Sequence, residues 1–294
     1  MPAFKILGVA YAVEQLGCGN DSVLCTMTDG NHGLAVATVA KQRGMEAVVY
    51  VPRTMAEARA AALRTAGAKV VRTDGTYDEA VAAVRAAAER NGWVLVSDTA
   101  WAGYEAIPQA IMAGYGTIFR EVETQRRDSP PITHIVVQAG VGGLAGAAAA
   151  WLARRRGASA VWADDAELII VEPNDAACLY ENEGREADAL QPCAGATESI
   201  MAGLNCGVPS TAAWPLIAGV ASRFMAVGDD WAEEAVRTMH AHGIAAGESG
   251  AAGLAGFLAL EPLPPGAVVL LLNTEGVTEP ELTRRILATP STPS

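Results

Sequence analysis

Gln138-Ala-Gly-Val-Gly-Gly-Leu-Ala-Gly146 is the stretch on which the fold reading turns. It follows an apolar, β-branched run, Ile135-Val-Val137, and leads into the alanine-rich segment Ala145–Ala153. A strand, then glycines, then a helix start builds a phosphate cradle. Glycines let the backbone approach a ligand, and the helix end offers unpaired N–H groups at the positive end of its dipole. The same glycines can serve only close helix–strand packing, so the loop alone leaves the ligand open. A dinucleotide fits poorly. The G-x-G-x-x-G spacing from Gly140 is interrupted by Leu144-Ala145, and no acidic residue ends a following strand before Glu172.

Outward from the loop, the chain alternates apolar β-type runs with helical stretches. Upstream, Val23–Thr26, Ala47–Val51, Lys69–Arg72 and Trp93–Val96 read as strands. Between them lie helical segments at 34–43, 56–66 and 77–90, the first two stopped by Gly44 and Gly67. Ala10–Leu16 reads as a short helix and 104–124 as a longer one. Downstream, Ile135–Val137, Leu168–Glu172 and Val268–Leu272 read as strands, and 214–223 and 230–242 as helices. This βαβ rhythm with short loops predicts α/β architecture with parallel sheets covered by helices. The charged, proline-bearing break Arg126-Arg-Asp-Ser-Pro-Pro131 marks a domain boundary. Residues 174–209 lack periodicity, and 289–294 read as a disordered tail.

Composition narrows the class. With 294 residues, 51% of them hydrophobic, the chain can bury a large core. A net charge of −12 argues against nucleic acid and anionic membranes as partners. The five cysteines form no CxxC pair, so a reducing cytoplasm is expected, and no metal site is suggested. Cys178 and Cys206 could meet across a loop. The apolar run Ile6–Val13 is preceded by one lysine, which is meagre for a signal peptide.

In open α/β sheets, ligands bind beyond the carboxyl ends of the strands. Four polar or glycine-bearing loops fall there: Thr28–Gly33, Ser97–Trp101, the glycine loop and Asn273–Gly276. Of 21 basic residues only Lys5, Lys41 and Lys69 are lysines, and Lys5 alone sits among apolar neighbours, Ala3-Phe-Lys-Ile-Leu-Gly8. Burial makes a neutral amine available for Schiff-base chemistry. A lysine snorkelling from an N-terminal helix is the plainer reading.

The ordered set Phe4–Gly8, Thr28-Asp-Gly-Asn-His-Gly33, Asp98-Thr-Ala-Trp-Ala-Gly-Tyr104, Gln138–Gly142, Val171-Glu-Pro173, Ile200–Leu204, Gly247–Ala251 and Thr274-Glu-Gly276 resembles the diaminopropionate ammonia-lyases over nearly the whole chain. These are fold-type II pyridoxal-phosphate (PLP) enzymes of the tryptophan synthase β-like kind. The resemblance implies two doubly wound open-sheet domains with the cofactor between them. The smaller would span 26–125, and the larger 1–25 with 126–294.

It further implies that Lys5 holds the cofactor as a Schiff base. Gly140, Val141, Gly142, Gly143 and Leu144 would cradle the phosphate, and Asn31 would lie beside the ring 3′-oxygen. Lys5 and Asp29 would act as bases on opposite faces of the cofactor, and Asp98 would serve the departing β-amino group. His32, Thr99, Tyr104, Glu248 and Ser249 are candidates for the substrate pocket. Without the resemblance, Asn31, Asp29 and Asp98 read equally as turn or cap residues.

The implied reaction converts 2,3-diaminopropionate to pyruvate and two ammonia, in a cytoplasmic homodimer. A serine/threonine dehydratase-type eliminase and a truncated non-catalytic paralogue are the alternatives. Two features depart from the family pattern. Family members carry several dozen residues before the lysine motif. Asn273 also stands where a serine usually precedes Thr-Glu-Gly, so either Asn273 or Thr274 would face the ring nitrogen.

Overall fold

The computed structural model describes residues 3–28, 30–74 and 77–289. The chain divides into two compact units, Ala3–Gly114 and the part from Tyr115 onward. Asp29 and residues 290–294 of the expected tail lie outside the described residues.

The first unit carries a parallel sheet of β1 (Val23–Met27), β2 (Glu46–Pro52), β3 (Ala68–Thr73) and β4 (Val94–Leu95), in the order β3-β2-β1-β4. Helices α1 (Lys5–Leu16), α2 (Asn31–Gln42), α3 (Glu57–Thr65) and α4 (Tyr77–Asn91) complete it. Cys25 on β1 and Val48 on β2 pack with Val84 and Ala88 of α4 into one apolar cluster. The expected helix at 10–16 begins earlier, at Lys5. Its Val9, Ala12 and Val13 are buried, and the helix packs on α2. Residues 3–25 therefore lie with the first unit, whereas the resemblance grouped them with the second half.

The division falls inside α5 (Ala106–Gln125). Gly114 explains how that helix meets α1. A β-carbon there would lie 2.6 Å from the Leu7 carbonyl oxygen and 2.8 Å from Gly8 Cα.

The second unit repeats the plan. Strands β5 (Ile132–Gln138), β6 (Trp162–Pro173), β7 (Arg223–Val227) and β8 (Val269–Leu271) form a parallel sheet ordered β7-β6-β5-β8. Its helices are α6 (Gly143–Arg155), α7 (Trp214–Ala218), α8 (Asp229–Ala241), α9 (Glu248–Ala259) and α10 (Pro280–Ala288). Ile135, Val136, Val137, Leu168, Ile169, Ile170 and Val171 are essentially inaccessible, as expected for strands covered on both faces. The expected helix at 214–223 stops at Ala218 with Gly219 as its C-cap, and Arg223 instead opens β7, pairing with Ile169.

Between β6 and α7 the aperiodic segment is held by a buried acid. Glu172 is 0% exposed, and its two carboxylate oxygens accept the backbone N–H groups of Leu179 and Tyr180 at 2.8 and 2.7 Å. Burial pushes this carboxyl up to about 8, against the lowering effect of those N–H donors.

This packing has two measurable consequences. Helix propensity alone favours Gly114→Ala by about 1 kcal/mol, but overpacking against backbone costs about 1–3 kcal/mol. Gly114→Ala should therefore lower the urea midpoint. The raised Glu172 carboxyl contributes stability below its unfolded value of 4.5, and that contribution is lost as pH rises to about 8. Urea titrations across this window should show stability falling with pH, with a shallower slope in Glu172→Gln.

Candidate active site

A sheet ordered β3-β2-β1-β4 reverses its winding between β1 and β4, and the crevice at such a point is where ligands sit. The loops leaving these two strands carry the first cluster. Lys5, the first residue of α1, donates from Nζ to Asp98 Oδ2 at 2.5 Å, and their side chains are 21% and 20% exposed. The Phe4 ring lies 5.6 Å from Nζ. Burial alone would raise the Asp98 carboxyl. The charge of Lys5 and its hydrogen bond outweigh it and hold the acid well below the usual carboxylate range. This is an ionised, charge-paired carboxylate next to a partly buried amine.

The neighbouring residues fix that pair. Tyr104 Oη donates to the Leu95 carbonyl at 2.7 Å and accepts the Ser97 N–H at 2.9 Å, and its ring stacks on Trp101 at 4.3 Å. Burial pushes its phenol up, so it closes the 97–104 loop as a neutral group. Thr99 donates its N–H to Ser97 Oγ at 3.2 Å. Asn31 and His32 open α2, and His32 is buried, with Nε2 2.8 Å from the Val96 carbonyl. Asp29 lies outside the described residues.

The second sheet reverses between β5 and β8, and the loops leaving those strands carry the second cluster. Gly142 caps α6 at φ +100°, a backbone state that side chains rarely adopt. The first helical bond runs from Gly146 N to Gly142 O at 2.7 Å. The N–H groups of Gly143, Leu144 and Ala145 therefore have no acceptor one turn back. Space over Gly143 is open, since a β-carbon there would meet only Tyr115 Cε2, at 3.7 Å. Val141 O accepts from Ser210 N at 2.8 Å and steadies the loop. Gly140 lies between the thiols of Cys178 and Cys206, which form no disulfide. Cys178 Sγ is 3.6 Å from its carbonyl, and Cys206 Sγ is 2.8 Å from where its β-carbon would be.

Gln138, buried at the end of β5, ties the loops together. Its Nε2 donates among Thr274 Oγ1 at 2.9 Å and the carbonyls of Ser249, Gly250 and Leu272 at 3.1 Å. The Thr274 hydroxyl thus accepts from Gln138 and keeps its own hydrogen to donate. Asn273 is exposed, and its amide donates to Ala245 O at 3.0 Å. Ser249 Oγ accepts from Gly203 N at 2.9 Å. Glu248 is buried and accepts from Thr283 of α10 at 3.3 Å. Burial, with the nearby Glu275 and Glu279, raises its carboxyl. Sequence reasoning did not single out Gln138 or Glu172. The available signals were a polar residue ending an apolar strand and an acid between Val171 and Pro173.

Against known proteins, the family model for pyridoxal-phosphate dependent enzymes matches residues 1–275. The diaminopropionate ammonia-lyase of Escherichia coli K12 is 35% identical, over 97% of this chain and 79% of its own length. The chain belongs to the diaminopropionate ammonia-lyase family of pyridoxal-phosphate dependent enzymes. Crystal structures of the Escherichia coli lyase in complex with D-serine, and with an aminoacrylate–PLP azomethine reaction intermediate, match with TM-scores of 0.86 and 0.84. Each is 35% identical and covers 97% of this chain, and the chain covers 80% and 79% of theirs. A threonine dehydratase of Solanum lycopersicum is 34% identical, but over 60% of this chain and 27% of its own length.

The residues fit a pyridoxal phosphate. Within the second unit the open, uncapped start of α6 suits one phosphate and Thr274 has a hydroxyl hydrogen to donate, and within the first unit Lys5 carries a partly buried amine. No helix among the described residues is long and apolar enough to cross a membrane. Gly143→Asp separates phosphate binding from folding. An acid in the first helical turn favours the helix by about 0.3–1 kcal/mol but opposes a bound phosphate. The variant should keep or raise its melting temperature while absorbance titration shows PLP affinity lowered about tenfold or more.

Proposed function

We propose that this enzyme eliminates ammonia from 2,3-diaminopropionate, giving pyruvate and two ammonia, and works as a cytoplasmic homodimer. The observation that carries the reading is the Lys5–Asp98 pair, an amine held against an ionised carboxylate. When bound, PLP supplies an electron sink for the carbanion formed when the substrate loses its Cα proton.

The chain's own residues do the remaining work. The N–H groups of Gly143 and Leu144, with the loop from Gly140 through Val141 and Gly142, hold the phosphate. Lys5 would hold the cofactor through its amine, and that amine, when free, would take the substrate's Cα proton from one face. Asp29 serves the opposite face, so that both substrate enantiomers react. Asn31 would serve the ring 3′-oxygen. The Thr274 hydroxyl would donate to the ring nitrogen, and its bond from Gln138 leaves its hydrogen available for this. Asp98 attracts the cationic β-amino group and handles the proton with which it departs. Thr99 and Tyr104 shape the loop that carries Asp98. Ser249 holds the backbone at Gly203, and Glu248 supports α9 against α10.

A negative carboxylate suits an amine leaving group better than the hydroxyl of serine or threonine. Pyruvate release from the PLP-loaded chain should therefore favour diaminopropionate over serine. Lys5→Ala should abolish the visible cofactor band and turnover. Asp98→Asn should retain PLP and lose about 10²-fold or more in turnover. Asp29→Asn should spare one enantiomer. Preference for serine would move the chain to the dehydratases, and no band in the folded, PLP-supplemented wild type would make it non-catalytic.

A further inference from the structure

Asp98 has a second polar neighbour. His32 is 5% exposed, and its Nε2 lies 2.8 Å from the Val96 carbonyl. A carbonyl only accepts, so Nε2 carries the hydrogen. Nδ1 has no hydrogen-bond partner among the described residues and lies 3.7 Å from Asp98 Oδ2. With the hydrogen on Nε2 and no hydrogen-bond partner at Nδ1, a bare Nδ1 lone pair faces a carboxylate oxygen. Two lone pairs so placed are tolerable because the Lys5 ammonium neutralises Asp98 at 2.5 Å.

Lys5 is also the amine that the proposed function gives to the cofactor, and any catalytic role for His32 rests on that reading. Once Lys5 is taken up, Asp98 loses its charge partner, and one proton completes the Asp98–His32 pair. We propose that His32 is a positioning residue acting through Asp98. It is locked as the Nε2–H tautomer by Val96 and holds one shared proton on Asp98 beside the departing amine.

In the elimination the C–N bond breaks and its electron pair stays with nitrogen. The cationic β-amino group lends one proton to the Asp98–His32 pair as it docks, takes it back as the bond breaks and leaves as ammonia. Asp98 returns to carboxylate and His32 to the neutral ring, and the pair is recharged by the next cationic substrate.

The groups that bear on His32 can be named. From its own helix there are the first-turn amides of α2. From the loop after β4 there are the Val96 carbonyl and Asp98, and from α1 there is Lys5 acting through Asp98. The Tyr104 hydroxyl is committed to Leu95 and Ser97. Asp29, earlier in the chain, lies outside the described residues.

The test reads the imidazole directly. In ¹⁵N-labelled full-length chain without added PLP, near neutral pH, His32 should be the Nε2–H tautomer with Nδ1 bare. Lys5→Met should move Nδ1 to its protonated position, and Lys5→Met/Asp98→Asn should return it. In the PLP-loaded enzyme, His32→Gln keeps a donor for Val96 but offers no ring lone pair. It should lower kcat about tenfold or more, with KM and the visible band little changed. An Nδ1–H tautomer in the wild type, no response to Lys5→Met, or wild-type kcat in His32→Gln would each overturn the proposal. If the wild type releases no pyruvate, the functional reading fails while the NMR arm still decides the pairing. If His32→Gln does not fold, the Lys5→Met spectra decide it.

Discussion

The bond between Lys5 and Asp98 is the constraint around which the first unit's polar cluster is built. An amine and a carboxylate taken partly out of water each incur a desolvation penalty, and mutual attraction offsets it only at close range with good hydrogen bonding. Here Nζ and Oδ2 are 2.5 Å apart. The scaffolding on both sides is then intelligible. Gly8 and Gly114 let α1 and α5 touch at backbone distance, which fixes where α1, and so Lys5, begins. Tyr104, bonded to Leu95 and Ser97, fixes where the Asp98 loop ends. A pair set on a helix start and a stapled loop has little freedom to drift.

Both units use the same topological device. Each has a four-stranded parallel sheet whose winding reverses beside its first strand, β1 in one and β5 in the other. At such a point two neighbouring loops diverge to opposite faces and leave a crevice. The Thr28–Gly33 and Ser97–Tyr104 loops flank one crevice, and the glycine loop and Asn273–Gly276 flank the other. This is why four polar loops far apart in the sequence fall beside two crevices, two to each unit. The repeat also separates the roles: the first crevice holds titratable side chains, and the second holds backbone amides and a hydroxyl.

Much of this was legible in the sequence because buried parallel strands are continuous apolar runs, and Val23–Thr26, Ala47–Val51 and Leu168–Glu172 are such runs. The loops were legible because glycine and polar residues interrupt those runs. What escaped depends on non-local pairing. Arg223-Phe-Met-Ala-Val227 has a charged start and one methionine. It is a strand because β6 offers it an edge, with Ile169 opposite Arg223 and Ile170 opposite Phe224. Lys5 read as the tip of an N-terminal helix, and the three-dimensional fact that distinguishes it is a carboxylate 93 residues away. Gln138 and Glu172 were hidden for the same reason. A polar residue at a strand end is ordinary until its buried partners are known.

The departure at Asn273 shows how such partners change a reading. By sequence, replacing a serine with asparagine removes a hydroxyl from the position expected to face the ring nitrogen. In the structure the asparagine side chain is exposed and bonded to Ala245 O, whereas the next residue, Thr274, is buried. Gln138 uses its amide hydrogens on Thr274 Oγ1 and on carbonyls from α9 and β8's exit. An amide donor can only occupy a lone pair of that hydroxyl, so the threonine's hydrogen must point elsewhere. The buried glutamine thus leaves Thr274 a hydroxyl with its hydrogen free of Gln138. It also bears on why Gly253 lacks a side chain: a β-carbon there would stand 3.0 Å from both Gln138 Oε1 and the Val136 carbonyl oxygen. Small residues on α9 make room for the amide that orients the hydroxyl, and the substitution at 273 leaves that arrangement intact.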